Sequence, residues 1–202
     1  MIPEADILKM VVSENAFSEF LRSLQNGFYV KSPEGISVKD FLTEICGITD
    51  EYIEENVKTV FINNKPADKL HQVFIVPDMI CALSGAMPGL VGAMMRMGSF
   101  YSVLREGITC ESPESGKSGD EVLVKIKLFN KILYDKGPEF LFKGIYADKA
   151  DLISLLESGV FESEISEMEI NKKKLKKVIL NNLSIEFQSQ FIYYSIEFTG
   201  NS

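Results

Sequence analysis

One histidine, His71, stands in this 202-residue chain, within the polar stretch Lys69-Leu70-His71-Gln72. A single imidazole removes every catalytic dyad that needs two, argues against a histidine-built zinc site, and reads as a surface side chain. The three cysteines, Cys46, Cys81 and Cys110, lie far apart with no C-x-x-C pair. Cys46 and Cys81 sit in apolar contexts where a thiol behaves as a small hydrophobe. An odd number of cysteines without a framework is expected of reduced thiols in the cytoplasm. Gly116-Lys117-Ser118 imitates the end of a phosphate-binding loop, but Glu111 stands where the first glycine belongs, and a polar loop precedes a strand. Gly85, Gly89 and Gly92 do not have dinucleotide-fingerprint spacing, and no nucleophile elbow surrounds Ser84. The acidic pairs Glu54-Glu55 and Glu162/Glu164 lie in polar surroundings, which read as solvated faces, because carboxylate catalysis needs an acid buried enough to keep its proton. No catalytic residue, metal site or cofactor is assigned on these grounds, and a non-enzymatic protein is expected.

The residues left to carry a function fall in the glycine- and methionine-rich segment Cys81–Tyr101. Three readings of its centre, Gly85–Gly98, stand side by side. Glycines let a backbone pass close over a sheet while Met94, Met95 and Met97 fill irregular gaps. Alternatively, exposed backbone N–H groups with Arg96 and Arg105 could hold a carboxylate or phosphate, with Ser84, Gly85, Gly89, Cys81 and Tyr101 about the ligand. In the third reading, the Met94–Met97 region is an adaptable apolar interface, for which a homodimer is the commonest use.

The background composition is globular. About 46% of residues are hydrophobic and 25% charged, enough for a real core in one domain or two small ones. The net charge of −8 disfavours a nucleic acid as partner unless a local basic patch works against the field. Met1–Asp6 carries no basic residue ahead of an apolar run, so no signal peptide is expected. The run Met79–Met95 is uncharged, but Pro88, Gly85, Gly89 and Gly92 interrupt it, so no membrane span is expected either.

The elements that must position the segment follow from periodicity. Phe17, Phe20, Leu21 and Leu24 give a helix over 16–24, and Phe28-Tyr29-Val30 a strand. Ser37 and Thr49 are expected N-caps, the first for a helix buried through Val38, Phe41, Leu42 and Ile45. Thr59–Ile62 is a strand turned by Asn63-Asn64-Lys65-Pro66, with the proline ending sheet pairing. Two short strands, Val73–Val76 and Ile80–Leu83, lead into the glycine-rich segment, and Phe100–Leu104 is expected to be extended. After the polar stretch 111–120, a strand over 122–127 precedes a helix from Leu128 that ends at Gly137-Pro138. Asp148 caps a helix carrying Leu152, Ile153, Leu155 and Leu156, with Gly159 beyond its end. The lysines Lys172–Lys174, Lys176 and Lys177 read as the wet side of an amphipathic helix, or as a contact for an anion or acidic partner. Ile185–Phe187 and Phe191–Thr199 predict an antiparallel hairpin with a break near Gln188-Ser189-Gln190.

Residues 28–92 carry a local resemblance. The strand at Phe28–Val30, the helix opening Gly35-Ile36-Ser37-Val38, the stretch Thr59–Pro66 and the stretch Val76–Leu83 resemble part of the β-grasp pattern of ubiquitin-like sulfur carriers. The resemblance implies a β-grasp-like sheet. In such carriers the last strand leads to a terminal Gly-Gly that is thiocarboxylated. Here Pro88-Gly89 holds that place and 113 residues follow, so a sulfur-carrier role requires a cut chain.

Together these readings give an α+β protein with mixed or mainly antiparallel sheets and packed helices. Its first part, 1–110, is β-grasp-like by the resemblance. A second α+β part, 121–202, ends in a β-hairpin, and 111–120 is a polar loop or linker, unless the whole forms one compact domain. The expected function is a cytoplasmic, non-enzymatic binding or protein-interaction module. The alternatives are a small-molecule-binding protein or enzyme acting on an anionic ligand near Arg96 and Arg105, and a sulfur-carrier-like protein.

Overall fold

The computed structural model describes residues 4–101, 110, 119–158, 161, 163–175, 180 and 183–198. In chain order the elements begin with β1 (Ala5–Val12), α1 (Glu14–Ser23), β2 (Phe28–Pro33) and α2 (Val38–Asp40), which runs on as a π-helical turn, Phe41–Ile45. Then come α3 (Asp50–Asn56), β3 (Thr59–Ile62), β4 (Lys65–Pro66), β5 (Ile80–Ser84), α4 (Gly89–Met95) and β6 (Glu121–Phe129). The last are α5 (Lys131–Lys143), β7 (Ile145–Asp148), α6 (Lys149–Leu156), β8 (Ile165–Ile170), β9 (Lys173–Lys174) and β10 (Phe191–Phe198). Strand pairings are both parallel and antiparallel, so the α+β expectation with mixed pairing is met. No helix among the described residues is long and apolar enough to cross a membrane.

The chain forms two compact units. Among the described residues, one is built on 29–136 and the other joins 4–28 to 137–198. In the first, the strand order is β4-β3-β5-β6-β2. β5 lies between antiparallel β3 and parallel β6, so Leu83 is flanked by Val60 and Leu128, all three fully buried. Such side chains each contribute about 1.5–3 kcal/mol on leaving water. Ser37 and Thr49 cap as expected, accepting from the N–H groups of Asp40 and Tyr52. Asn63 and Asn64 make the expected turn at φ 48° and 66°. Lys65-Pro66 then pairs with Ile62 and Phe61 as a short edge strand instead of ending the sheet. A proline is tolerated there because an edge residue can do without its N–H.

In the second unit the order is β7-β10-β1-β8-β9. β1 runs parallel to β10, with Ala5 opposite Phe191 and Val12 opposite Phe198, and antiparallel to β8. Leu8, Met10 and Val12 alternate inward beside Ile192, Tyr194 and Ile196. Phe20 of α1 closes this core, its ring centroid 6.1 Å from Tyr194 and 5.0 Å from Phe161. Asp148 caps α6 through the Ala150 N–H.

Several expectations need correction. The C-terminal hairpin does not form: Leu183–Ile185 is a 3-10 turn, and β10 pairs with β1 and β7 instead. Val73–Val76 is not a ladder strand, because its backbone bonds to the loop before α2 (Gly35 N–H to Ile75 O, Val38 N–H to Val73 O). Leu128 belongs to β6, Asn130 turns the chain at φ 54°, and α5 runs through Gly137-Pro138. Gly137 lies where a Cβ would stand 2.4 Å from Leu21 Cδ1, so its place is set by close approach to α1 and not by helix termination. Lys172 is a turn residue at φ 68°, and Lys173-Lys174 form edge strand β9, not a helix face. Phe100 and Tyr101 lie in a 3-10 turn and are not extended. Lys176, Lys177, Gly159, Glu162, residues 102–104 and residues 111–118 of the polar loop lie outside the described residues.

Candidate functional site

The glycine- and methionine-rich segment leaves the core at the end of β5. Cys81 is fully buried, and burial pushes its thiol up to about 12, which leaves it inert as a nucleophile at neutral pH. Ser84 is buried too. Its hydroxyl accepts from Asn130 Nδ2 at 3.0 Å and its carbonyl from the Lys58 N–H at 3.0 Å. Gly85 is buried against α5, where a Cβ would meet Lys131 Cβ at 3.5 Å. These residues anchor the segment.

From Met87 onward the chain turns outward. Pro88 caps α4, and Gly89 takes φ +80°, in the left-handed region that favours glycine. At Gly92 a Cβ would stand 2.1 Å from the Met87 carbonyl oxygen, so only glycine allows this turn to close on itself. Met94, Met95 and Met97 are half-buried and Arg96 is exposed. The segment is then tied down again: the Met97 N–H donates to Lys58 O at 2.9 Å and the Gly98 N–H to Asp68 Oδ1 at 3.4 Å. Between these two anchorages Leu90 and Val91 face outward, and just beyond the second so do Phe100 and Tyr101. Leu90 and Val91 are each 66% exposed, Phe100 89% and Tyr101 45%. The Phe100 and Tyr101 rings meet edge-on at 5.7 Å.

A cavity of about 420 Å³ opens beside Met97 and Gly98. α3 and the two residues after it contribute Ile53, Glu54, Val57 and Lys58, while Lys39 comes from α2 and Asp68 and His71 from the stretch after β4. Both lysines are already engaged: Lys58 Nζ donates to the Glu54 carbonyl at 2.7 Å, and Lys39 Nζ lies 2.8 Å from Asp50 Oδ1. The lining mixes two carboxylates, two ammonium groups and an imidazole, and none of its residues is a serine or cysteine. It has hydrogen-bonding and titratable groups, with no hydroxyl or thiol among its described lining residues. Among the described residues, no group of three His, Cys, Asp or Glu side chains could hold a metal ion.

The candidate residues are therefore dispersed. Ser84 and Gly85 are enclosed, whereas Gly89, Arg96 and Tyr101 lie on the outside of the segment. Arg105 lies outside the described residues. The polar residues beside Met97 and Gly98, namely Lys39, Lys58, Asp68 and His71, escaped sequence reasoning. They come from three stretches that the sequence gives no reason to join, and His71 reads only as a surface side chain. Compared with known proteins, the chain matches no family model, no curated protein and no solved structure.

Proposed function

We propose that the protein is a non-enzymatic interaction module whose docking surface is the glycine- and methionine-rich segment, with a second copy of the chain as its partner. The observation that supports this reading is the outward display of Leu90, Val91, Phe100 and Tyr101 within twelve residues of one another, on either side of the Met97–Gly98 anchorage. Most surface apolar side chains occur singly, and exposed apolar patches are a usual mark of association. Half-buried methionines beside it supply an adaptable margin. The enclosed, hydrogen-bonded Ser84 and the inert Cys81 are withheld from nucleophilic chemistry.

Sedimentation velocity over a hundredfold range of concentration tests the proposal. The expected result is a concentration-dependent dimer that the Leu90→Asp/Val91→Asp double variant converts to monomer, with its melting temperature unchanged. A wild-type chain that stays monomeric throughout, or a dimer indifferent to both substitutions, overturns it.

A further inference from the structure

The unit built from both ends of the chain holds a second cavity, of about 440 Å³, inside the range usual for small-ligand pockets. One wall is the end of α1 and the residues after it, Ser23, Leu24, Asn26 and Gly27. The opposite wall is α6, with Asp151, Ser154 and Leu155 at i, i+3 and i+4, the spacing of one helix face, and Ser158 just past the helix end. Asp151 and Ser154 are on the exposed side of α6, while its core residues Leu152, Ile153 and Leu156 occupy other positions. Leu24, Phe28, Ala147 and Leu152 supply apolar lining, and the buried Tyr194 reaches the cavity as well.

Among its described side chains the charge in the cavity is one-sided. Asp151 is the only charged side chain among its described lining residues, and no lysine, arginine or histidine is among them. The hydroxyls of Ser23, Ser154 and Ser158 and the side chain of Asn26 add oxygen acceptors. Residues 23 and 24 also form the C-terminal end of α1, where the helix dipole places partial negative charge. Asp151 and Ser154 lie one turn apart, within reach of a single small donor.

From this arrangement we infer that the cavity binds a small organic ammonium ion. Its cationic head is held by Asp151 and Ser154, and its compact apolar body packs on Leu24, Phe28 and Leu155. An anion is disfavoured there by Asp151 and by the α1 terminus, so the site is complementary to cations and does not answer to the anionic ligand expected around Arg96. It is independent of the docking segment and does not rest on the interaction proposal.

Titration of the ¹⁵N-labelled full chain with phenethylammonium chloride, followed by amide chemical shifts, tests the inference. The expected result is a saturable millimolar response confined to amides around Asn26–Phe28 and Asp151–Ser158. The isosteric carboxylate 3-phenylpropionate and the neutral 2-phenylethanol should bind about tenfold more weakly. Asp151 is exposed and in the first turn of α6, so Asp151→Asn should lower the melting temperature by no more than about 4 °C and weaken ammonium binding about fivefold. Ser154→Asp, which adds a second carboxylate one turn away, should tighten it. The inference is overturned by no saturable response, by equal binding of the carboxylate or alcohol, or by an affinity indifferent to both substitutions.

Discussion

Asp6 is the residue whose removal should cost the fold most for its size. It is a carboxylate only 6% exposed, set in β1. One oxygen accepts from Asn171 Nδ2 at 2.7 Å, and the other accepts from the backbone N–H groups of Gln188 and Ser189, both at 2.7 Å. A single side chain thereby fastens the β8–β9 turn and the loop before β10 to the strand they flank. Burial pushes its pKa up, but the hydrogen bonds from Ser189, Asn171 and Gln188 together outweigh burial and hold it below the ordinary carboxylate value. Hydrogen bonds to a charged acceptor contribute about 1.5–3 kcal/mol each, and they are not additive in one cluster. Asp6→Ala should therefore cost about 3 kcal/mol, since it strands two backbone donors and an amide. For a chain of this size that is about 6–12 °C in melting temperature. Because the folded pKa is depressed, the ionised form stabilises the fold fully above the unfolded value of about 3.9. That contribution fades as pH falls through the lower folded value. Urea titrations followed by circular dichroism at pH 7 and at stepwise lower pH measure both quantities, and amide exchange at Gln188 and Ser189 localises the effect. A variant that melts with the wild type at pH 7, or a stability difference that does not narrow in acid, refutes this account of Asp6.

The cysteines should react in the order of their burial. Half-buried Cys110 is expected to modify first with a thiol-specific reagent, and fully buried Cys81 only on unfolding; native-state labelling of Cys81 at a rate comparable with Cys110 contradicts this. Gly144, at φ +101°, lies where a Cβ would stand 2.3 Å from Tyr193 Oη. Gly144→Ala should cost about 2–3 kcal/mol in a denaturant titration, because it strains the backbone and displaces Tyr193. Tyr193→Phe, which removes only the hydroxyl's 2.7 Å bond to the Lys143 carbonyl, should cost about 1 kcal/mol; equal losses from the two would remove the steric argument.

Local rules made much of the fold legible. Ser37, Thr49 and Asp148 cap the helices they were read to cap, and Asn63-Asn64 turns where two tolerant residues meet, because each of these signals is complete within a few residues. Failures came where a distant partner decides. Phe191–Phe198 has a strand's alternation, but nothing within it names β1 as its neighbour, so a hairpin with Ile185–Phe187 was the nearest local answer. β1 itself, Ala5–Val12, went unread although Leu8, Met10 and Val12 alternate inward. At Gly137-Pro138 the breaker residues lie inside a helix, because a close approach to Leu21 requires the glycine. The same limit applies to the candidate site. The unusual composition of 81–101 drew attention to the segment, but its spacing could not separate the enclosed Ser84 from the outward Leu90, nor show which distant residues border Met97.

The parallel pairing of β1 with β10 sets an order of events during synthesis. Phe191, the partner of Ala5, is translated 186 residues after it. The unit centred on Tyr29–Lys136 is continuous and can close its own sheet while translation proceeds. The other unit must hold β1 and α1, including the apolar Leu8, Met10 and Phe20, unsatisfied until β10 arrives. Long-range closure of that kind is slow. During this interval the nascent chain exposes a strand edge and an apolar helix face together, and it is at that stage that the molecule has most need of a chaperone.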